Sequence, residues 1–274
     1  LWSSFFCCYN RILYSNFSNV FLLQENKQKS CLLKNLVIIQ TVVPDYRKGF
    51  FNAIENALDQ HFELYGGDFY FEKSNRILIK TAPILDITSA LKELKFVRSI
   101  HIVSVENEVK ELLFELEKNY EAKTTIKTID FGTKITQFDA FLSEETPNLS
   151  YSLPRKYLYE ANSSLMKSGN FDLISSRLNV AKLHANSHLY TSDLLIDFPG
   201  RIFEITTHFP YNKENLKEYF YQQKSNITTR NFPETVEQIR KKWSIKDGGN
   251  LYSFFTTDIN NQKIVVLCNK IQQK

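Results

Sequence analysis

The stretch from Lys224 to Thr257 constrains the fold most. It runs Lys224-Ser-Asn-Ile-Thr-Thr-Arg, then Glu234 to Trp243, then Lys246-Asp-Gly-Gly, then Leu251 to Thr257. The β-branched run at Ile227 reads as a strand, and Glu234 to Trp243 as a basic helix. Asp247-Gly248-Gly249 supplies the positive φ angles of a tight turn. Leu251 to Thr257 and Lys263 to Lys270 read as a hairpin around Asn260-Asn261. Upstream, Arg201 opens a further strand and Lys213 to Gln223 a further helix. The order β-α-β-α-β-β follows for residues 199–274, with Pro199-Gly200 as a turn and module boundary. Residues 201–272 are expected to fold as an independent unit.

Charge is distributed unevenly. Residues 201–274 carry 12 Lys+Arg against 7 Asp+Glu, whereas the first 200 residues carry 22 against 23. A basic C-terminal quarter points to a polyanionic partner. A basic helix beside a small sheet is also how several RNA-binding modules are built. Arg201, Lys224, Arg230, Arg240, Lys241, Lys242 and Lys246 are the candidate RNA contacts. The competing reading is a solvated helix face.

Before that region the chain reads as an α/β sheet. Leu36 to Val43 and Ile77 to Thr81 are buried strands, with a helix from Tyr46 to Leu58 and short strands at Phe62 and Phe69 between them. A helix capped by Asp86 or Thr88 runs to about Lys95, and Ser99 to Ser104 is a third strand. Val105 to Glu117 is expected to be an amphipathic helix with Val109, Leu112, Leu113 and Leu116 inward. Thr125 to Asp130 is a fourth strand. Lys156 to Glu160 is a strand, Asn162 to Lys167 and Phe171 to Leu178 are short helices around Gly169, and His184 to Tyr190 is extended.

Several functions are disfavoured. Cys7, Cys8, Cys31 and Cys268 form no Cys-x-x-Cys pair and have no His at ligand spacing, so no metal is expected and a reducing cytoplasm fits best. No apolar run approaches the ~20 residues of a membrane helix. The 8 glycines form no Gly-x-Gly loop for a nucleotide cofactor. The chain opens on Leu1 and its only methionine is Met166. Residues 1–34 are therefore expected to be poorly structured or non-native, as in a fragment or a misread frame.

Three segments together resemble one family. Ile77-Leu-Ile-Lys-Thr-Ala-Pro-Ile-Leu-Asp-Ile and Ser104-Val-Glu-Asn-Glu-Val-Lys-Glu-Leu-Leu-Phe look like the closing strands of a Bacteroidetes class I SAM-dependent methyltransferase. Tyr157-Leu-Tyr-Glu-Ala-Asn and Leu183-His-Ala-Asn-Ser-His-Leu-Tyr look like its small ferredoxin-like domain. Phe198-Pro-Gly-Arg-Ile-Phe-Glu-Ile, Thr229-Arg-Asn-Phe-Pro and Lys246-Asp-Gly-Gly look like its THUMP-like domain. The resemblance covers residues 76–272. It departs at Ala161 and Ala185, where proline is expected, and at Glu106, where lysine is expected. It implies a partial Rossmann-like sheet (76–150), a ferredoxin-like module (151–198) and a THUMP-like βαβαββ domain (199–274), hence an α/β and α+β chain.

The family's cofactor loop and its Asp-Pro-Pro-Arg-Arg type motif should precede residue 77, and neither is there. Residues 35–75 instead resemble the start of a glycosyltransferase, through Gln40-Thr-Val-Val-Pro-Asp-Tyr-Arg-Lys-Gly and Leu64-Tyr-Gly-Gly-Asp-Phe. The implied function is the RNA-targeting portion of a SAM-dependent methyltransferase. No SAM site and no catalytic residue are expected within the chain itself. The alternatives are a glycosyltransferase-derived protein or a non-catalytic scaffold.

Other residues are weighed against plainer roles. Lys80, Thr81 and Pro83 follow a strand end, where α/β sheets place their sites, and are candidates to border a substrate cleft. Strand-to-helix loop chemistry alone also accounts for them. His184 and His188 lack a carboxylate at useful spacing, so structural roles are favoured. Glu106, Glu108 and Glu111 are better explained as solvated surface than as acid–base groups.

Overall fold

A computed structural model describes residues 75–146, 148–221 and 223–272, together with the backbone of strands β1 (Val20–Leu22) and β2 (Leu36–Thr41). The helix expected from Tyr46 to Leu58 and most of the glycosyltransferase-like stretch lie outside the described residues. The chain forms two compact units, one comprising Leu1–Arg98 with Leu112–Glu121 and the other Ser99–Glu111 with Ala122–Lys274.

In the first unit, β2 pairs in parallel with β3 (Arg76–Thr81), and β1 pairs antiparallel with β2. Helix α1 (Ile87–Glu93) is capped by Asp86, whose Oδ1 accepts the Ser89 N–H at 2.8 Å. This satisfies one orphan donor of the first turn, as the sequence predicts. β3 pairs antiparallel with residues 112–117.

That last pairing corrects the expectation for Val105 to Glu117. The segment is a strand, β5 (Glu108–Glu117), which follows β4 (Val97–Val105). Glu106 and Asn107 have φ of 50° and 63°, the positive pair that a two-residue hairpin turn requires. Leu112, Phe114 and Leu116 are buried, while Leu113 and Glu115 between them are only partly covered. Apolar residues two apart outweigh the helix-like spacing of Val109, Leu112, Leu113 and Leu116, because the backbone finds a strand partner in β3.

The second unit holds residues 99–105 of β4 in parallel with β6 (Thr125–Phe131), which pairs antiparallel with β7 (Ile135–Phe141). The sequence reading missed β7, whose alternation leaves Ile135 and Phe141 exposed. The unit also contains a complete sheet with strand order β12-β13-β14-β11-β8-β10-β9. Its strands are β8 (Tyr157–Ala161), β9 (Ala181–Lys182), β10 (Leu189–Ser192), β11 (Gly200–Pro210), β12 (Asn226–Arg230), β13 (Leu251–Thr257) and β14 (Lys263–Lys270). Helices α2 (Ser163–Ser168) and α3 (Phe171–Leu178) lie between β8 and β9 in the chain. Helix α4 (Lys213–Phe220) follows β11, and α5 (Val236–Trp243) follows β12.

The β-α-β-α-β-β order predicted from Arg201 onward is present, and the α/β and α+β class holds. One expectation changes. His184 to Ser187 form a turn closed by Ser187 N–H donating to the His184 carbonyl at 3.3 Å, and the strand begins only at Leu189.

β11 joins the two halves of this sheet, with β14 on one side and β8 on the other. One apolar core therefore mixes Leu158, Leu183 and Leu189 with Phe203, Phe254 and Val266. A second packs α4 and α5 on the sheet through Leu216, Phe220, Ile239, Phe255 and Val265. At Gly200 a Cβ would lie 2.8 Å from Ala161 Cα, so only glycine allows β11 to enter beside β8.

The strand assignment of β5 is directly testable. Phe114→Ala is expected to lower stability by about 3–5 kcal/mol by opening a cavity. Leu113→Ala, inward only in the helical reading, is expected to cost far less. Denaturant unfolding of both variants gives the comparison.

Candidate nucleic-acid interface

The seven basic residues singled out in the sequence fall into separate environments. Lys224 and Lys246 are neighbours, bridged in parallel just before β12, with Ser225 N–H donating to the Lys246 carbonyl at 3.0 Å. Both side chains are exposed. Gly248 and Gly249 adopt φ of 94° and 79°, so Asp-Gly-Gly here is a turn that positions Lys246. Asn226 Nδ2 fastens it by donating to the Gly249 carbonyl at 2.8 Å.

Residues 240–242 diverge, as ~100° per helical residue demands. Arg240 turns inward. Its Nη2 donates to the Ser225 carbonyl at 3.2 Å and to Asp247 Oδ1 at 2.5 Å, tying the end of α5 to the start of β12. Lys242 is held by Glu234 at 3.0 Å and by the Tyr211 hydroxyl at 3.2 Å, and the Glu234 hydrogen bond raises its pKa. The Tyr211 hydroxyl also accepts the Trp243 Nε1–H at 2.9 Å, while burial pushes its own pKa up. Lys241 is exposed. The capping box of Thr235 and Gln238 fixes where α5 starts and hence which face each of these residues takes.

Arg201 and Arg230 meet on one carboxylate. Arg201 donates from Nε to Glu160 Oε2 at 2.7 Å and from Nη2 to the same oxygen. Arg230 donates from Nε and Nη2 to Oε1 at 3.0 and 2.7 Å. The Glu160 side chain is 3% exposed and the two arginines 34% and 35%. β12 lies four strands from β8, about 19 Å away in a flat sheet at ~4.8 Å per strand. The direct contact therefore requires the sheet to curl. A register shift in the β11–β14 pairing between Ile205 and Thr207 adds the local twist of a bulge.

The curl also brings three polar residues together. His184 Nδ1 accepts the Asn186 backbone N–H at 3.0 Å and lies 3.0 Å from Asn231 Nδ2. Because Nδ1 accepts, the ring proton is on Nε2, which donates to Asn261 Oδ1 at 3.1 Å. His184 is thus structural, as the sequence reading favours.

Sequence reasoning missed Glu160. Its signal is a lone charge in the otherwise apolar or aromatic strand Tyr157–Ala161. It also missed Asn231 and Asn261, whose pairing depends on the curl.

Around α3 a cleft of about 380 Å³ is lined in part by Asn170, Asp172, Lys182, Asn186 and His188. Lys182 donates to Asp172 Oδ1 at 2.5 Å and to the Ala185 carbonyl at 3.0 Å. Burial, then the charges of Lys182 and Arg230, lower the pKa of His188, which stacks on Phe171 at 3.6 Å. Lys80, Thr81 and Pro83 belong to the other compact unit. Lys80 faces Leu113 across the β3–β5 ladder, Thr81 is buried, and Pro83 lies in the loop leading to α1. Among the described residues, no group of three or more His, Cys, Asp or Glu could hold a metal ion, and no helix is long and apolar enough to cross a membrane.

The two kinds of cation predict different mutational costs. Arg240→Ala is expected to lose about 1–3 kcal/mol, because it strips partners from the Ser225 and Ile245 carbonyls. Lys241→Ala is expected to stay within about 0.5 kcal/mol of wild type. Thermal melts of the two variants decide.

Comparison with known proteins agrees with this architecture. Residues 157–199 match a ferredoxin-like domain family, and residues 200–270 match a family described as THUMP domain-like. No curated protein matches the chain. The fold is similar to the crystal structure of a "putative methyltransferase" from Porphyromonas gingivalis W83, with a TM-score of 0.75, 28% identity and 87% of this chain covered. The chain spans 60% of that protein's length. From β8 onward it is thus similar to a ferredoxin-like domain followed by a THUMP-like one, as two successive parts of a methyltransferase-like protein.

Proposed function

We propose that this chain is the RNA-binding portion of a SAM-dependent methyltransferase and works in the cytoplasm. The observation that carries the reading is the match of residues 200–270 to the THUMP-like family, since domains of that kind generally bind RNA. The same residues bear Arg201, Lys224, Arg230, Lys241 and Lys246. Lys224 and Lys246 form the leading pair of phosphate contacts, because they are adjacent and exposed. Arg240 and Lys242 are reassigned to holding α5 in place.

The test is RNA binding by the full chain as a function of salt. Wild type is expected to bind a structured RNA with log K falling as log salt rises. Lys224→Glu/Lys246→Glu is expected to reduce that slope by about two contacts, at roughly 0.7–0.9 each. Identical slopes and affinities would leave the basic surface as mere solvation and favour a non-binding scaffold.

The companion proposal is that this portion binds no SAM by itself. It rests on the lack of a Gly-x-Gly turn that would let backbone approach a nucleotide cofactor. Calorimetry with SAM is expected to show no saturable heat. Micromolar binding at one site per chain would overturn it.

A further inference from the structure

We propose that Arg201 and Arg230, held by the buried Glu160 carboxylate, form a seat for one phosphodiester group of the RNA backbone. The proposal rests on the RNA-binding reading above, and deepens it by naming the contact.

The charge of the cluster limits what it can hold. A buried carboxylate is neutralised by one guanidinium, yet Glu160 has two, so the triad keeps one net positive charge. That excess matches the single negative charge of a phosphodiester. A dianionic phosphate would leave it overcompensated. About a third of each arginine side chain remains in solvent, so the excess charge is reachable.

A guanidinium has five N–H donors in a rigid fork. The contacts to Glu160 use Nε and Nη2 of each arginine, leaving the Nη1 donors of both for a further oxyanion. Arg201 is fixed again from its face, 5.5 Å from the centroid of the buried Phe203 ring. Two forks anchored in advance on one carboxylate lose little freedom on binding, and Arg–phosphate hydrogen bonds are among the stronger ones. Beside Arg230, Asn231 and Asn261 each hydrogen-bond to His184, and His188 lies within electrostatic range of Arg230, Lys182 and Asp172.

The plainer alternative is a joint that only ties β8, β11 and β12 together. RNA binding by the full chain separates the two. Arg201→Gln, Arg230→Gln and the neutral triple Glu160→Gln/Arg201→Gln/Arg230→Gln are compared with wild type on a labelled RNA hairpin. A shared seat predicts that each single variant lowers the salt slope by about one contact, roughly 0.7–0.9, and that the triple variant loses no more than that. Wild-type slope and affinity in all three would overturn the seat. So would a two-contact loss in the triple variant, which would mean two separate phosphates.

If the triple variant does not fold, Arg230→Lys decides alone. It keeps the charge but not the fork, so the seat predicts several-fold weaker binding at a nearly unchanged slope, and unchanged affinity overturns it. If wild type binds no RNA, the RNA reading fails by itself and dimethyl phosphate tests the seat. Shifts in the Arg201 and Arg230 Nε–H resonances on titration keep it, and resonances unmoved at high concentration overturn it.

Discussion

The Glu160 carboxylate, buried between Arg201 and Arg230, is the contact on which the geometry of the larger sheet turns. It joins β8, β11 and β12, whose members are up to 70 residues apart in sequence. Arg201 is directly opposite Glu160 in the β8–β11 ladder, so that half of the pair costs no long-range closure. Arg230 arrives from the far edge, and its arrival requires the curl. Removing either arginine would strip one Glu160 oxygen of its guanidinium hydrogen bonds within a desolvated site, which is why such networks are sensitive to the loss of any member.

Apolar packing accompanies the curl on the same face as Glu160. Phe203 packs edge-on against Phe254 with centroids 4.9 Å apart, and both are fully buried beside Leu158 and Leu189. On the opposite face, Phe255 and Val265 receive α4 and α5. β13 therefore serves both layers, with Phe254 and Phe255 pointing to opposite sides as strand alternation demands. This explains why its burial is nearly continuous rather than alternating. The basic residues are distributed by the same logic. The helix face toward the sheet takes Ile239, the junction takes Arg240, and Lys241 is left to solvent.

Much of the C-terminal architecture was legible because its signals are local. Gly169 between two short helices, the Asp247-Gly-Gly turn and the Asn260-Asn261 hairpin each act within a few residues. The helix expected at Val105 to Glu117 failed because Leu112 and Leu116 fit both periods, and Phe114 was outweighed. Only the partner strand and the two-residue turn resolve that ambiguity. The candidate site was half legible. Composition finds the cations, but spacing along the chain cannot say that Arg230 meets Glu160 while Lys242 meets Glu234. Those partners are set by the sheet's curvature and the helix phase. Glu160 stood out as a charge in an apolar strand, yet nothing nearby in sequence named what neutralises it.

Gly200 carries a consequence for how this part of the protein opens. The chain passes from β10 to β11 with Asn162 N–H bonded to the Pro199 carbonyl at 3.0 Å, and β11 enters against β8 with no room for a side chain. The two sequence families that meet between residues 199 and 200 thus share one hydrogen-bonded plate rather than a tether. Amide protons on β8 and on β14 that bond to β11 lose their partners together whenever that strand detaches. What reads as two domains along the chain is therefore expected to open as one unit in hydrogen exchange, against the independent folding of residues 201–272 that the sequence suggests.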